Sequence, residues 1–467
     1  MSASNSLLGF FILIQLLMTF GLGKKFPFQF MGEHGPLIGA WFWGLLTLMS
    51  VILIVTRWGQ RTLLRLTHPN FLRTSFLVLV LLTPVYDALQ WVKFRDLGYP
   101  RPDFLWFLDL VGVLGWLWLF RQRTRLDSKT ATVFAAVFAI THRMVSILSL
   151  PLVSSRSDMM AAILQANERF FELGLPAYGA SWDGVGQIPY LPLSWLSFFP
   201  SHILSIDPRW VGIFFWIATL LALFSGTRMF IARSQLGGIA PSLLMTFLLA
   251  NPYFHFRHEL YLDPWFFMVT VTVLSLGRAR PWVSGVVTGL GCATLHWGWT
   301  LFPFFWGLAS LRQNQGERWK ALLSTVIASL IPFCLIMGHF AWHERQYFFS
   351  AIFLHQDRIH TGVNPGELCL GFASFFFQMG WERLLQPLQG VVLLSLGWIG
   401  LKQWWQVQPK NYQLTRDRIF LLMWAAGFGF NLLVPFLENY FMLTWTLLAI
   451  PVLDAVTSPE HHTPPQH

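Results

Sequence analysis

"ATVFAAVFAITHRMVSILSLPLVSSRSDMMAAILQ" runs from Ala131 to Gln165. As far as Val153 it is an apolar run long enough to cross a hydrocarbon core of roughly 30 Å. It then places an acid, Asp158, just past the end of that run. The next residues, "DMMAAILQANERFFELG", put Met159, Ala162, Ile163, Ala166 and Phe170 on one helical stripe. Gln165, Glu168, Arg169 and Glu172 lie elsewhere on the turn. That pattern predicts a membrane helix followed by an amphipathic helix in the membrane interface. Gly174 and Pro176 stop it, and "IPYLPLSWLSFFP" (188–200) returns apolar surface to the bilayer. Asp158 has two readings. Ser157 or Asp158 can cap the interfacial helix, or an acid at the headgroup level can act as a general base on an amphiphilic substrate.

The same reading extends to the whole chain. Of 467 residues, 54% are hydrophobic and 12% charged, and mean hydropathy is +0.52. A soluble protein carries roughly 25% charged residues. Apolar runs of about twenty residues recur near 6–23, 36–56, 74–91, 104–120, 130–152, 210–227, 239–253, 263–277, 321–340, 386–401, 419–436 and 439–455. Region 282–311 is too long for one helix and breaks at "LHWGW", so it reads as two short helices in a re-entrant or tightly turned hairpin. The first run lacks a basic leader and a small-residue cleavage site, so it reads as a membrane helix and not a signal peptide. The expected fold is an all-α polytopic membrane protein with about 12–14 transmembrane helices.

Charge sets the orientation. Loops 57–73, 121–129, 228–233, 278–280, 312–320 and 402–418 hold 19 Lys/Arg and three acids, and the opposite set holds 12 Lys/Arg and 16 acids. The basic side is cytoplasmic, which places both termini inside and accounts for the net charge of +10 without nucleic acid. The long loops, 153–209 and 341–385, and nearly all conspicuous acids and histidines then lie outside. Long connections usually carry function. The three cysteines, Cys292, Cys334 and Cys369, give neither a disulfide framework nor metal spacing. No Asn-x-Ser/Thr sequon occurs, which favours a bacterial inner membrane. The tail "SPEHHTPPQH" reads as disordered.

Three further stretches carry chemistry. "NPYFHFRHELYLDPWFF" (251–267) packs His255, Arg257, His258, Glu259 and Asp263 into one short outer turn. Such a set suits phosphate recognition through Arg257, a divalent ion, or a local ion pair. His296 lies at the break of the split helix, where irregular backbone is tolerated if it lines a cavity. "GHFAWHERQYFFSAIFLHQDRIH" (338–360) adds Arg345 and Arg358, cations that can clamp a phosphate or meet lipid headgroups. No phosphate loop, GxSxG or HExxH motif is present.

Together the long helix, the acid, the interfacial helix and "YLPLSWL…IDPRW" resemble the first outer loop of the GT-C superfamily of polytopic glycosyltransferases, mannosyltransferase-like in flavour. "RHELYLD" resembles its second acidic loop. "HWGWTLFPFFW" resembles a segment where a Lys is common near the position of His296, and "ENYFML" resembles a late His-containing segment. The chain departs from the pattern in lacking that Lys and that late His, and in four spans that precede the similar region. The resemblance implies three parts: an N-terminal membrane extension (1–129), a GT-C-like catalytic core (130–455) with interfacial helices in its first large outer loop, and the tail (456–467). It implies transfer of a sugar from a polyprenyl-phosphate donor to a hydroxyl of a glycan, lipid or protein acceptor on the outer face, with inversion. Asp158 would be the base, and Glu259 or Asp263 a second acid. Arg257, His258, His296, Arg345 and Arg358 would serve the departing phosphate. No soluble cofactor is implied, and a divalent cation remains open. The rivals are a transporter or flippase, a lipid-linked glycan ligase or polymerase, and an assembly factor. Transporters tend to show internal repeats and midplane charges, and no repeat is visible.

Overall fold

A computed structural model describes residues 103–121, 128–149, 152, 158–179, 188, 190–226, 262–276, 279–294, 296, 298–311, 313, 316–353, 376, 379–408 and 412–432. Among the described residues all regular structure is helical. The predicted spans at 6–23, 36–56, 74–91, 239–253 and 439–455 lie outside them.

Helices α1 (Asp103–Arg121) and α2 (Ser128–Ser149) coincide with the runs predicted at 104–120 and 130–152. They pack through small residues. A Cβ on Gly112 would overlap the Phe138 ring, and one on Gly115 the Phe134 ring. Helix α1 is thus seated directly on α2.

Next comes the segment that the charge pattern assigns to the outer face, called the outer loop below, with α3 (Asp158–Phe171), a 3-10 turn (Ala177–Gly179), α4 (Pro192–Leu196) and α5 (Phe199–Ile203). Gly174, at φ +59°, ends α3 in the left-handed conformation that glycine adopts without strain. The apolar stripe of α3 does not face outward as expected for an interfacial helix. Of the stripe, Ala162, Ile163 and Ala166 are buried against protein and Phe170 is half-buried. Asn167, fully buried, donates to the Ile163 and Trp195 carbonyls at 3.0 Å each and ties α3 to α4. The exposed apolar side chains of the loop lie instead at its tips, Leu173 and Leu175, and Ile203 and Leu204. The tips are joined by the Phe171–Phe199 ring contact (4.0 Å) and the His202–Glu172 pair (3.2 Å).

Helices α6 (Pro208–Gly226) and α7 (Leu262–Ser275) pack on each other, and α6 also packs on α2. The predicted split of 282–311 is present as α8 (Pro281–Thr294) and α9 (Gly298–Ser310). Helix α10 (Arg318–His343) crosses α8 closely, because Gly285 and Gly289 present bare backbone four residues apart. A Cβ on Gly285 would sit 2.5 Å from the Thr325 carbonyl, and one on Gly289 would overlap the Ser329 carbonyl. Helix α11 (Arg345–Phe353) follows at once. Helices α12 (Leu385–Trp405) and α13 (Tyr412–Leu432) close the described chain. The expected 402–418 loop shrinks, because both helices continue past their apolar stretches and carry Lys402, Arg416 and Arg418 on their ends. Long basic side chains allow this by reaching past apolar surface with their stems.

Among the described residues, three helices are long and apolar enough to cross a membrane: Pro208–Ser225, Arg318–His343 and Glu382–Trp405. Shorter apolar helical stretches are Ala136–Val145, Asp263–Ser275 and Arg418–Gly427.

Candidate functional site

Asp158 is the first residue of α3. Its position is fixed from the far end of that helix. Arg169 donates through Nε to the Pro176 carbonyl at 3.0 Å, which folds the chain back after Gly174 into the 3-10 turn. The turn ends on Glu344, the residue between α10 and α11. Its Oε2 accepts the Tyr178 amide at 2.8 Å. Glu344 is buried, and burial pushes its carboxyl above the usual glutamate range. The nearby Tyr178 and Ala177 amides, His339 and Arg169 oppose that rise.

Around this contact lies an aromatic cluster. Tyr178 and Trp195 are fully buried and meet Phe340 edge-on at 5.8 and 5.5 Å, while Phe348 meets Tyr178 at 5.1 Å. Phe170 joins from α3 at 5.5 Å from Phe340. The Tyr178 hydroxyl donates to the Tyr190 carbonyl (2.7 Å) and accepts from Trp195 Nε1 (3.2 Å). Burial pushes its phenol well up. Thus "YLPLSWL", which carried much of the resemblance, supplies the packed interior of the outer loop. "IDPRW" is also a brace. Asp207 accepts the Arg209 amide at the start of α6 (2.9 Å) and pairs with its guanidinium, and Arg209 reaches the Ile147 carbonyl of α2 at 3.2 Å.

Asp263 opens α7 in a different setting. Its Oδ1 accepts from Arg143 of α2 at 2.7 Å, and both side chains are buried. The Arg143 guanidinium lies 5.0 Å over the Trp216 ring of α6. Gly212 makes the room, since a Cβ there would sit 2.7 Å from Asp263 Oδ2. In this arrangement the carboxylate is committed to Arg143 and shielded from solvent. On the same helix, His142 lies 3.7 Å from Asp109 of α1, again both buried. Four ionisable side chains therefore sit among apolar helices α1, α2 and α7. An ionisable residue inside an apolar span is a functional candidate by default.

His296 lies in the short break between α8 and α9, half-buried, with its ring 5.6 Å from Trp299. Trp299 donates to the Cys292 carbonyl at 2.8 Å and holds the break closed. Arg345 begins α11 beside Glu344 and is exposed. Arg257, His258, Glu259 and Arg358 lie outside the described residues. Among the described residues no group of three His, Cys, Asp or Glu comes together to hold a metal.

A separate apolar cavity of about 610 Å³ lies between α9, α10, α12 and α13, lined by residues such as Trp299, Gly307, Leu322, Leu394, Trp398 and Ile419. Its size falls within the usual range for small-molecule sites, roughly 300–1,000 Å³.

Sequence reasoning set aside Arg143 and Asp109, although each was visible as an ion inside an apolar run. It counted Glu344 only as one outer-face acid. Nothing in sequence separation joins Glu344 to Tyr178, 166 positions away. No family model matches the chain, and no curated protein or solved structure matches it.

Proposed function

We propose that the chain is a membrane glycosyltransferase that moves a sugar from a polyprenyl-phosphate donor to an acceptor hydroxyl at the non-cytoplasmic membrane surface. The observation that carries the reading is the outer loop. A helix that begins on an acid follows the apolar helix α2, and it is locked onto the end of α10 by Arg169, Tyr178 and Glu344. In this reading such a loop keeps Asp158 beside the bilayer, where an amphiphilic donor would present its phosphate.

In this mechanism the acceptor oxygen attacks the anomeric carbon while its proton passes to Asp158. The bond from the anomeric carbon to the phosphate oxygen breaks, and polyprenyl phosphate leaves with its electron pair. Fixed cations stabilise the charge that develops on it. Arg345 is placed for this on the exposed start of α11, and Arg257, His258, Arg358 and His296 are the further candidates. Glu259 remains the second acid. Asp263, held by Arg143, would act by bracing α7 and not as a proton acceptor. No step needs a metal.

Asp158→Asn in native membranes, supplied with labelled polyprenyl-phosphate sugar, is expected to lower transfer roughly 100- to 10,000-fold. Undiminished transfer would remove Asp158 from the mechanism.

A second reading, a transporter or flippase for a lipid-linked or anionic substrate, draws on the buried set Asp109, His142, Arg143 and Asp263. It predicts substrate movement across vesicles by wild type, no group transfer from any donor, and loss of movement in Asp109→Asn.

A further inference from the structure

The outer loop meets α10 and α11 mainly through aromatic edges. Phe170, Tyr178 and Trp195 converge on Phe340, and Tyr178 on Phe348. Apolar contacts of this kind supply much burial energy and little direction. One contact in the set is directional. The Glu344 carboxylate receives the Tyr178 amide through Oε2 at 2.8 Å. Buried amides need partners, and the Glu344 oxygen supplies one.

The contact is also connected. Arg169 binds the Pro176 carbonyl, two residues before the clasped amide, so any displacement of the turn is passed to α3. From Arg169 the helix runs back eleven residues, about three turns, to Asp158. We infer that Glu344 is a positioning residue, a clasp that sets the register of the outer loop on α10 and, through Arg169 and α3, the placement of Asp158. The contact stands on geometry alone, and its consequence for catalysis rests on the transferase reading. Misplacement of a catalytic group by about 1 Å can cost on the order of 100-fold in rate.

The test uses the full chain in lipid nanodiscs, with Glu344→Ala, Glu344→Gln and Glu344→Asp, and two readouts. Hydrogen exchange of the peptide covering Ala177 and Tyr178 reports the contact. Steady-state transfer from a labelled polyprenyl-phosphate sugar, normalised to folded protein, reports the consequence. In Glu344→Ala, exchange of this peptide is expected to rise roughly 10-fold or more, and kcat to fall about 100-fold with little change in donor KM. Glu344→Gln keeps an acceptor oxygen at the same reach and is expected to retain most of both. Glu344→Asp withdraws the carboxylate by one methylene and is expected to fall between, so the comparison survives if the alanine variant fails to fold. A purely structural residue would change the yield of folded protein and leave kcat per folded molecule intact. Unchanged exchange in Glu344→Ala and Glu344→Asp would overturn the clasp. Faster exchange with unchanged kcat would overturn the positioning role. A wild type inactive on every donor would overturn the transferase reading and the positioning role with it, while exchange would still decide the contact.

Discussion

Asp263→Asn removes one half of the buried Arg143–Asp263 pair, whose 2.7 Å contact joins α2 to α7. The side chains are 4% and 3% exposed, so neither ion can be rehydrated without moving a helix. Removing one partner of such a pair typically costs about 3–5 kcal/mol, because the survivor is a buried charge without compensation. Here the face of Trp216 stays under the guanidinium and retains about 0.5–2 kcal/mol of that. The expected cost therefore lies near the lower end, about 3 kcal/mol. Arg143→Met leaves the carboxylate, which can take a proton. A guanidinium cannot lose one. The cost of Arg143→Met should therefore shrink as the pH is lowered, whereas that of Asp263→Asn should stay flat. Arg143→Met/Asp263→Leu removes both charges and fills the space with apolar atoms, and it is expected to lie within about 1 kcal/mol of wild type. Unfolding of the purified protein by SDS, followed by tryptophan fluorescence, measures all four forms. Additive single costs in the double variant would refute the account, because they would mean that the two charges do not depend on each other.

Gly212→Ala brings a methyl to 2.7 Å from Asp263 Oδ2 and is expected to cost about 1–3 kcal/mol in the same assay. Gly289→Leu forces α8 away from the Ser329 carbonyl and Pro332, and should abolish accumulation of folded protein, read by size-exclusion profile. Trp195→Ala empties the fully buried centre of the outer loop and is expected to cost about 3–5 kcal/mol locally, read as faster hydrogen exchange across 158–179. Because burial raises the Glu344 carboxyl, the docked loop binds its proton more tightly than an undocked loop does. Its contribution is full below the ordinary glutamate range and is lost as pH rises through the raised value. Intrinsic-rate-corrected exchange at Tyr178 should therefore rise with pH in wild type and be flat in Glu344→Gln.

Helix positions were the legible part of this chain. Apolar length located α1, α2, α6, α10 and α12, and the interruption at "LHWGW" located the α8–α9 break. Composition does not say what an apolar stripe faces. The α3 stripe has the pattern of a bilayer-facing surface, yet it is covered by Trp195 and Phe340, which come from elsewhere in the chain. Asp263 stood out as an acid in a dense turn, and its setting is decided by Arg143, 120 positions away. Gly285 and Gly289 pack α8 on α10, a pairing that only the fold reveals. Asp158 was legible as an acid just past an apolar run, and the fold makes it the first residue of α3.

The bond from the Tyr178 hydroxyl to the Tyr190 carbonyl has a consequence for how this chain can vary. It brings together the two ends of a segment of about a dozen residues, and the anchoring atoms belong to the buried cluster and not to the segment itself. Closing a loop of any length then costs little more than closing a short one, about 0.6 kcal/mol for each doubling. Tyr178 and Tyr190 are thus held by the buried cluster, and changes between them that keep the buried Ile188 should leave Trp195, Phe340 and Glu344 in place.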